Sequence, residues 1–92
     1  MTTDTPFEIE WAPSALRDLA RPPEKVATAV VEFVYGALAS NPRRVGHELR
    51  FELEGKHSAN RGDYRVIYEV DDAARLATIL AIDHRSKIYR PR

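Results

Sequence analysis

Gly62-Asp63-Tyr64-Arg65-Val66-Ile67-Tyr68-Glu69-Val70-Asp71-Asp72, followed after Ala73-Ala74-Arg75 by Leu76-Ala77-Thr78-Ile79-Leu80-Ala81-Ile82, is the stretch that decides the fold. Tyr64, Val66, Tyr68 and Val70 recur at every second position, the spacing of side chains on one face of a strand. Asp71 and Asp72 favour a turn, and the apolar run behind them reads as a central strand covered on both faces for part of its length. Residues 62 to 83 are therefore predicted to form a β-hairpin.

Working back from the hairpin, Leu49, Phe51 and Leu53 alternate with Arg50, Glu52 and Glu54, a further strand ended by Gly55. Lys56 and His57 then fall in a turn. At the other end of the chain Phe7, Ile9 and Trp11 alternate with Glu8 and Glu10, a strand over residues 6 to 11. Pro13 and Ser14 open a short helix, with Ser14 as its cap and Leu16 and Leu19 inward, and Pro22 and Pro23 stop it. Val26, Val30, Phe33, Val34 and Ala37 form the stripe of a second helix running to about Ser40, closed by Asn41 and Pro42. A second stripe, Val31, Tyr35 and Leu38, either fills the core or forms a groove for a partner. The order is βααβββ, and the fold class is α+β: one antiparallel sheet with a helical hairpin packed on one face.

A length of 92 residues fits one domain, residues 1 to 92, and a small active site. With 43% hydrophobic and 30% charged residues the composition is globular. The absence of cysteine excludes a disulfide framework, a thiolate nucleophile and a Cys-based zinc site. The longest nearly apolar stretch, Val26 to Ala39, is too short to span a bilayer and contains Glu32. No signal-peptide pattern opens the chain, so a cytoplasmic protein is expected, with no membrane partner.

The 14 bases and 14 acids cancel, but they are not evenly spread. Residues 1 to 42 hold six acids and three bases, so the excess of positive charge lies in the second half, where arginine dominates. Arginine's planar fork suits bidentate phosphate contacts. Alternation along a strand starting at Arg61 puts Arg61 and Arg65 on the side away from the helices. A hairpin pairing Val70 with Leu76 sets Arg65 opposite Ala81 and Arg61 opposite Arg85, so three guanidiniums converge on one patch. Like charges so placed suggest a site for an anion, and Asp63 and Asp83 are the alternative partners as simple salt bridges. His84 and Tyr89 add groups suited to proton transfer, or an exposed strand end and an aromatic plug over the sheet edge.

The motif Gly62-Asp63-Tyr64-Arg65-Val66-Ile67-Tyr68, with His84-Arg85 and Tyr89 after it and Leu53-Glu54-Gly55, His57-Ser58-Ala59 and Arg61 before it, resembles the RelE/ParE superfamily of type II toxin-antitoxin toxins. The likeness covers about residues 7 to 90 and is greatest to the RelE branch. It implies a microbial-ribonuclease-like fold that enters the ribosomal A site and cuts messenger RNA without a metal or other cofactor. In that reaction the 2′-hydroxyl attacks its adjacent phosphate. Carried over, the family's strand arginine falls on Arg65 and its C-terminal arginine and tyrosine on Arg85 and Tyr89. Arg65 and Arg85 would stabilise charge, Tyr89 and His84 would move protons, and Lys56 and Arg61 would position the RNA backbone. The chain departs from the enterobacterial form in lacking a pair of lysines one residue apart near Lys56. The resemblance also implies a cognate antitoxin, whose complex with the toxin binds operator DNA through the antitoxin. Two other functions fit the same resemblance: a ParE-like inhibitor of DNA gyrase, and a catalytically silent copy acting only as a co-repressor.

Overall fold

The computed structural model describes residues 5–49 and 55–84. Strand β1 (Glu8–Trp11) leads through Ala12 into helix α1 (Pro13–Leu19), followed by helix α2 (Glu24–Phe33). α2 continues through a π-helical turn, Val34–Leu38. A one-turn helix α3 (Pro42–Val45) precedes strands β2 (His47–Glu48), β3 (Lys56–Arg61), β4 (Tyr64–Asp71) and β5 (Leu76–His84). The strands form a single sheet in the order β1-β5-β4-β3-β2.

The α+β class, the single sheet and the β4–β5 hairpin agree with the sequence reading, and three details differ. First, β1 runs parallel to β5, so the sheet is mixed rather than wholly antiparallel. The helical hairpin that follows β1 returns the chain to the far side of the sheet, leaving β1 to pair with the last strand. Second, the polar run Lys56-His57-Ser58-Ala59-Asn60-Arg61 is a strand and not a turn. It pairs with β4 across the two residues Gly62 and Asp63, with Arg61 opposite Tyr64. Gly62 takes φ 64°, the left-handed conformation such a tight hairpin needs at its first turn position. The strand expected over residues 49 to 54 lies mostly outside the described residues, although the Leu49 N–H donates to the Lys56 carbonyl (2.8 Å) and so extends the β2–β3 ladder.

The third difference is register. Asp71 pairs with Leu76 and Val70 with Ala77, and a β-bulge between Ile67 and Tyr68 then admits Leu80 as an extra residue on β5. Arg65 therefore faces Asp83, not Ala81. Beyond Trp11, where β1 stops, two backbone groups of β5 are taken over by α1. Ser14 Oγ donates to the Leu80 carbonyl (2.7 Å), and the Ile82 N–H donates to Asp18 Oδ2 (3.0 Å). Ser14 thus completes the strand edge instead of capping its helix.

The core lies between the helices and the sheet. Val30, Val34 and Leu38 of α2 and its π turn pack with Val66 and Tyr68 of β4 and Ala77, Ile79 and Ile82 of β5. The π turn advances the buried stripe by one position, so Leu38 is buried where the regular helical pattern places Ala37. On α1 the buried residue is Ala15, and Leu16 is 53% exposed. Tyr35 is likewise on the surface, its hydroxyl accepting a hydrogen bond from Trp11 Nε1 (2.8 Å), so the second α2 stripe divides between core and surface. Gly46 is where α3 meets the sheet: a Cβ there would come within 2.5 Å of both the Ser58 carbonyl oxygen and the Tyr68 hydroxyl.

Candidate functional site

Opposite partners on neighbouring strands share a face, so the register sorts the candidate residues into two groups. On the face away from the helices, Arg65 is half-buried in the row Asn60–Arg65–Asp83. The Asp83 carboxylate accepts the backbone N–H of His84 (3.0 Å), which fixes an acid beside the arginine. Further along the same face Lys56 lies opposite Glu69, with Nζ 3.4 Å from Oε2. Such half-exposed pairs contribute about 0–1 kcal/mol, so the pairing orients Lys56 more than it stabilises the fold.

On the helix-side face, at the same end of the sheet, the row is Arg61–Tyr64–His84. The His84 ring meets Tyr64 edge-on, with centroids 5.4 Å apart and planes at 79°. The convergence of Arg61 and Arg65 on one face is therefore corrected. They lie on different strands joined by a two-residue turn, and that turn puts adjacent positions on opposite faces. His84 is likewise separated from Arg65 by the thickness of the sheet. Arg85 and Tyr89 lie outside the described residues.

The fold also gathers a group that the sequence reading missed. His57, in the expected turn, is 5% exposed and stacks on Tyr68 with centroids 5.5 Å apart. Its Nε2 is 3.5 Å from an Arg43 guanidinium nitrogen, and its Nδ1 is buried with no hydrogen-bond partner among the described residues. Arg43 is held by Asp72 through two bonds, 2.6 and 3.4 Å. Burial first, and the Arg43 cation second, push the His57 imidazole below its ordinary range. The hydrogen bond from Arg43 holds the Asp72 carboxyl down. Burial raises the Tyr68 phenol to about 12, and its hydroxyl donates to the buried Pro42 carbonyl (2.5 Å). The alternation of His57 and Ala59 was the available signal for this strand, but a single alanine between polar neighbours is a weak one. Among the described residues no group of three His, Asp or Glu side chains is placed to hold a metal ion, and no helix is long and apolar enough to cross a membrane.

Residues 9–89 match the family model described as the ParE toxin of type II toxin-antitoxin system, parDE. The chain belongs to this toxin family. Toxin RelE of Mycobacterium tuberculosis is 51% identical over 90 residues, covering 98% of this chain and 93% of that protein. Toxin RelG of the same organism is 46% identical over 85 residues, 92% of this chain and 98% of that one. Among solved structures, the toxin-antitoxin complex RelBE2 from M. tuberculosis contains a chain similar to this toxin at 42% identity and a TM-score of 0.86, covering 94% of this chain and 99% of that one. The archaeal RelE-RelB complex from Pyrococcus horikoshii OT3, at 22% identity and a TM-score of 0.71, shares the toxin fold, with 90% of this chain and 99% of that chain covered.

Proposed function

We propose that this toxin is a ribosome-dependent endoribonuclease that cuts messenger RNA in the A site, and that a cognate antitoxin restrains it. The observation that carries this reading is the 51% identity to Toxin RelE across 98% of the chain. The solved toxin-antitoxin complex at 42% identity supports the antitoxin as partner. In the proposed reaction the message's own 2′-hydroxyl attacks the adjacent phosphate, forming a 2′,3′-cyclic phosphate and releasing a 5′-hydroxyl. The protein supplies neither nucleophile nor cofactor. It must offer cations to the developing phosphorane and groups that take one proton and return another.

Arg65 is proposed as a stabilising cation, joined by Arg85, with Tyr89 moving a proton. Lys56 and Arg61 are proposed to hold the RNA backbone. The separation of His84 from Arg65 argues against a direct proton transfer by His84 and favours a role in setting the Tyr64 ring. Asp83 beside Arg65 offsets part of its charge, so the remaining cation is assigned to Arg85.

Purified toxin added to a cell-free translation reaction tests the reading by primer extension. New 5′ ends within A-site codons are expected, and Arg65→Ala should slow their appearance by about 10²–10³-fold, the usual effect of removing one transition-state contact. Intact message together with inhibited DNA supercoiling would replace the nuclease with a gyrase inhibitor.

A further inference from the structure

Behind the tip of the β3–β4 hairpin, on the face opposite Arg65, lies an open groove of about 250 Å³. One wall is the first two turns of α2, with Lys25, Val26 and Ala29; the other is Arg61, Gly62 and Tyr64. Lys25 and Arg61 are exposed and form no ion pair among the described residues. This contrasts with the far face, where Lys56 is tied to Glu69 and Arg65 faces Asp83. Asp63 also lines the groove, leaving two cations against one acid. The turn at Gly62 is unobstructed, since a Cβ there would meet nothing within 4 Å. On the β5 side the His84 ring packs against Tyr64, with centroids 5.4 Å apart and planes at 79°.

We propose that this groove is a second RNA-contact site that seats one unpaired nucleotide, with its base on Tyr64 and its flanking phosphates on Lys25 and Arg61. The inference rests on the nuclease reading and extends it to a surface that does no chemistry. The size supports a single nucleotide: the volume is below the ~300–1,000 Å³ of ordinary ligand pockets and far too small to bed a helix. The combination of an aromatic wall and flanking cations is what single-stranded nucleic acid uses, stacking for the base and charge for the backbone. His84 acts as a positioning residue, fixing the angle of Tyr64. The arrangement uses the split of Arg61 and Arg65 between faces that the two-residue turn creates. An RNA strand bound at both would pass around the end of the sheet, with the hairpin tip between its two contacts.

The probe is a fluorescein-labelled single-stranded RNA heptamer with 2′-O-methyl riboses, which no 2′-hydroxyl attack can cut. Its anisotropy is followed with the full-length toxin as salt is varied. Each phosphate contact contributes about 0.7 to the slope of log affinity against log salt on a single strand. Lys25→Ala and Arg61→Ala are each expected to reduce that slope by about 0.7, and Arg17→Ala, an exposed α1 cation outside the groove, to leave it unchanged. Tyr64→Leu should weaken binding at least about fivefold at unchanged slope, the lower end of a lost stacking contact. Circular dichroism confirms the fold of each variant, and Tyr64→Phe, which keeps the ring, restores affinity. Slopes for Lys25→Ala and Arg61→Ala equal to the parent's, or loss of antitoxin binding with heptamer binding intact, would overturn the proposal. A parent that binds the heptamer in this pattern yet leaves programmed message whole would sink the nuclease reading and keep the groove.

Discussion

Tyr68→Phe removes one oxygen from a polar contact enclosed on every side by the core. Tyr68 and Pro42 are both fully buried, and the phenol donates to the Pro42 carbonyl at 2.5 Å. Removing the donor leaves the carbonyl unpaired in the interior, which costs about 1–3 kcal/mol, so ~2 kcal/mol is expected. At about 4–8 °C per kcal/mol for a chain of this size, the melting temperature should fall by roughly 8–16 °C. Gly46→Ala attacks the same place from the other side. Its backbone, φ −139° and ψ −172°, suits any residue, so the cost comes only from the Cβ meeting the Ser58 carbonyl and the Tyr68 hydroxyl at 2.5 Å. Forced overpacking of this kind costs about 1–3 kcal/mol. In the Tyr68→Phe background one of the two obstructing oxygens is gone, and Gly46→Ala should cost at least about 0.5 kcal/mol less there, a coupling outside the usual scatter of additive mutations. Urea unfolding of the parent, the two single variants and the double variant measures the cycle. Equal costs of Gly46→Ala in both backgrounds would refute the packing argument, and a Tyr68→Phe effect under about 0.5 kcal/mol would refute the hydrogen-bond argument.

Two further outcomes concern His57 and Gly36. His57 is depressed by burial and by Arg43, so its neutral form is favoured when folded and the unfolded chain binds the proton more readily. The stability this provides is fully present above an ordinary imidazole pKa of about 6.5 and is lost as pH falls through the lower folded value. Unfolding free energy should thus rise from pH 5 to 7, and His57→Phe, which keeps a ring on Tyr68, should flatten that rise; an unaltered slope would clear His57 of the effect. Gly36 in the π turn is exposed and a Cβ there meets nothing within 4 Å, so Gly36→Ala should stabilise by about 0.4–1 kcal/mol through the unfolded chain, read as a higher urea midpoint at constant m.

The elements legible in the sequence were those whose side chains alone decide them. The alternation of Tyr64, Val66, Tyr68 and Val70 and the apolar run after Leu76 gave β4 and β5, and the stripe through Val30 and Val34 gave α2. β3 escaped because its pairing partners, not its composition, make it a strand: Lys56-His57-Ser58-Ala59-Asn60-Arg61 has one apolar residue, yet β4 lies on one side and β2 on the other. Register was hidden for a related reason, since a bulge at Leu80 leaves no mark in a run where nearly every residue is apolar. Both misses fell on the candidate site. Arg65 keeps its expected face with Asp83 rather than Ala81 opposite, while Arg61 takes the other face because the two-residue turn at Gly62 and Asp63 breaks the alternation that a continuous strand from Arg61 would have. Ser14 and Leu16 show the same limit: one finishes a strand edge and the other faces water, and neither outcome is written in local spacing.

The parallel pairing of β1 with β5 bears on how the toxin comes into being. β5 joins the earliest strand to the β4–β3–β2 ribbon, yet it is the last of the five to be synthesised. A growing chain can form its helices and the β3–β4 ribbon, but Glu8 must wait for Leu76 before it has a neighbour, and Asp18 must wait for Ile82. Until then the edge of β4 that β5 will occupy has no strand beside it. The surface bearing Arg65 likewise acquires its flanking Asp83 only in the closing steps of synthesis.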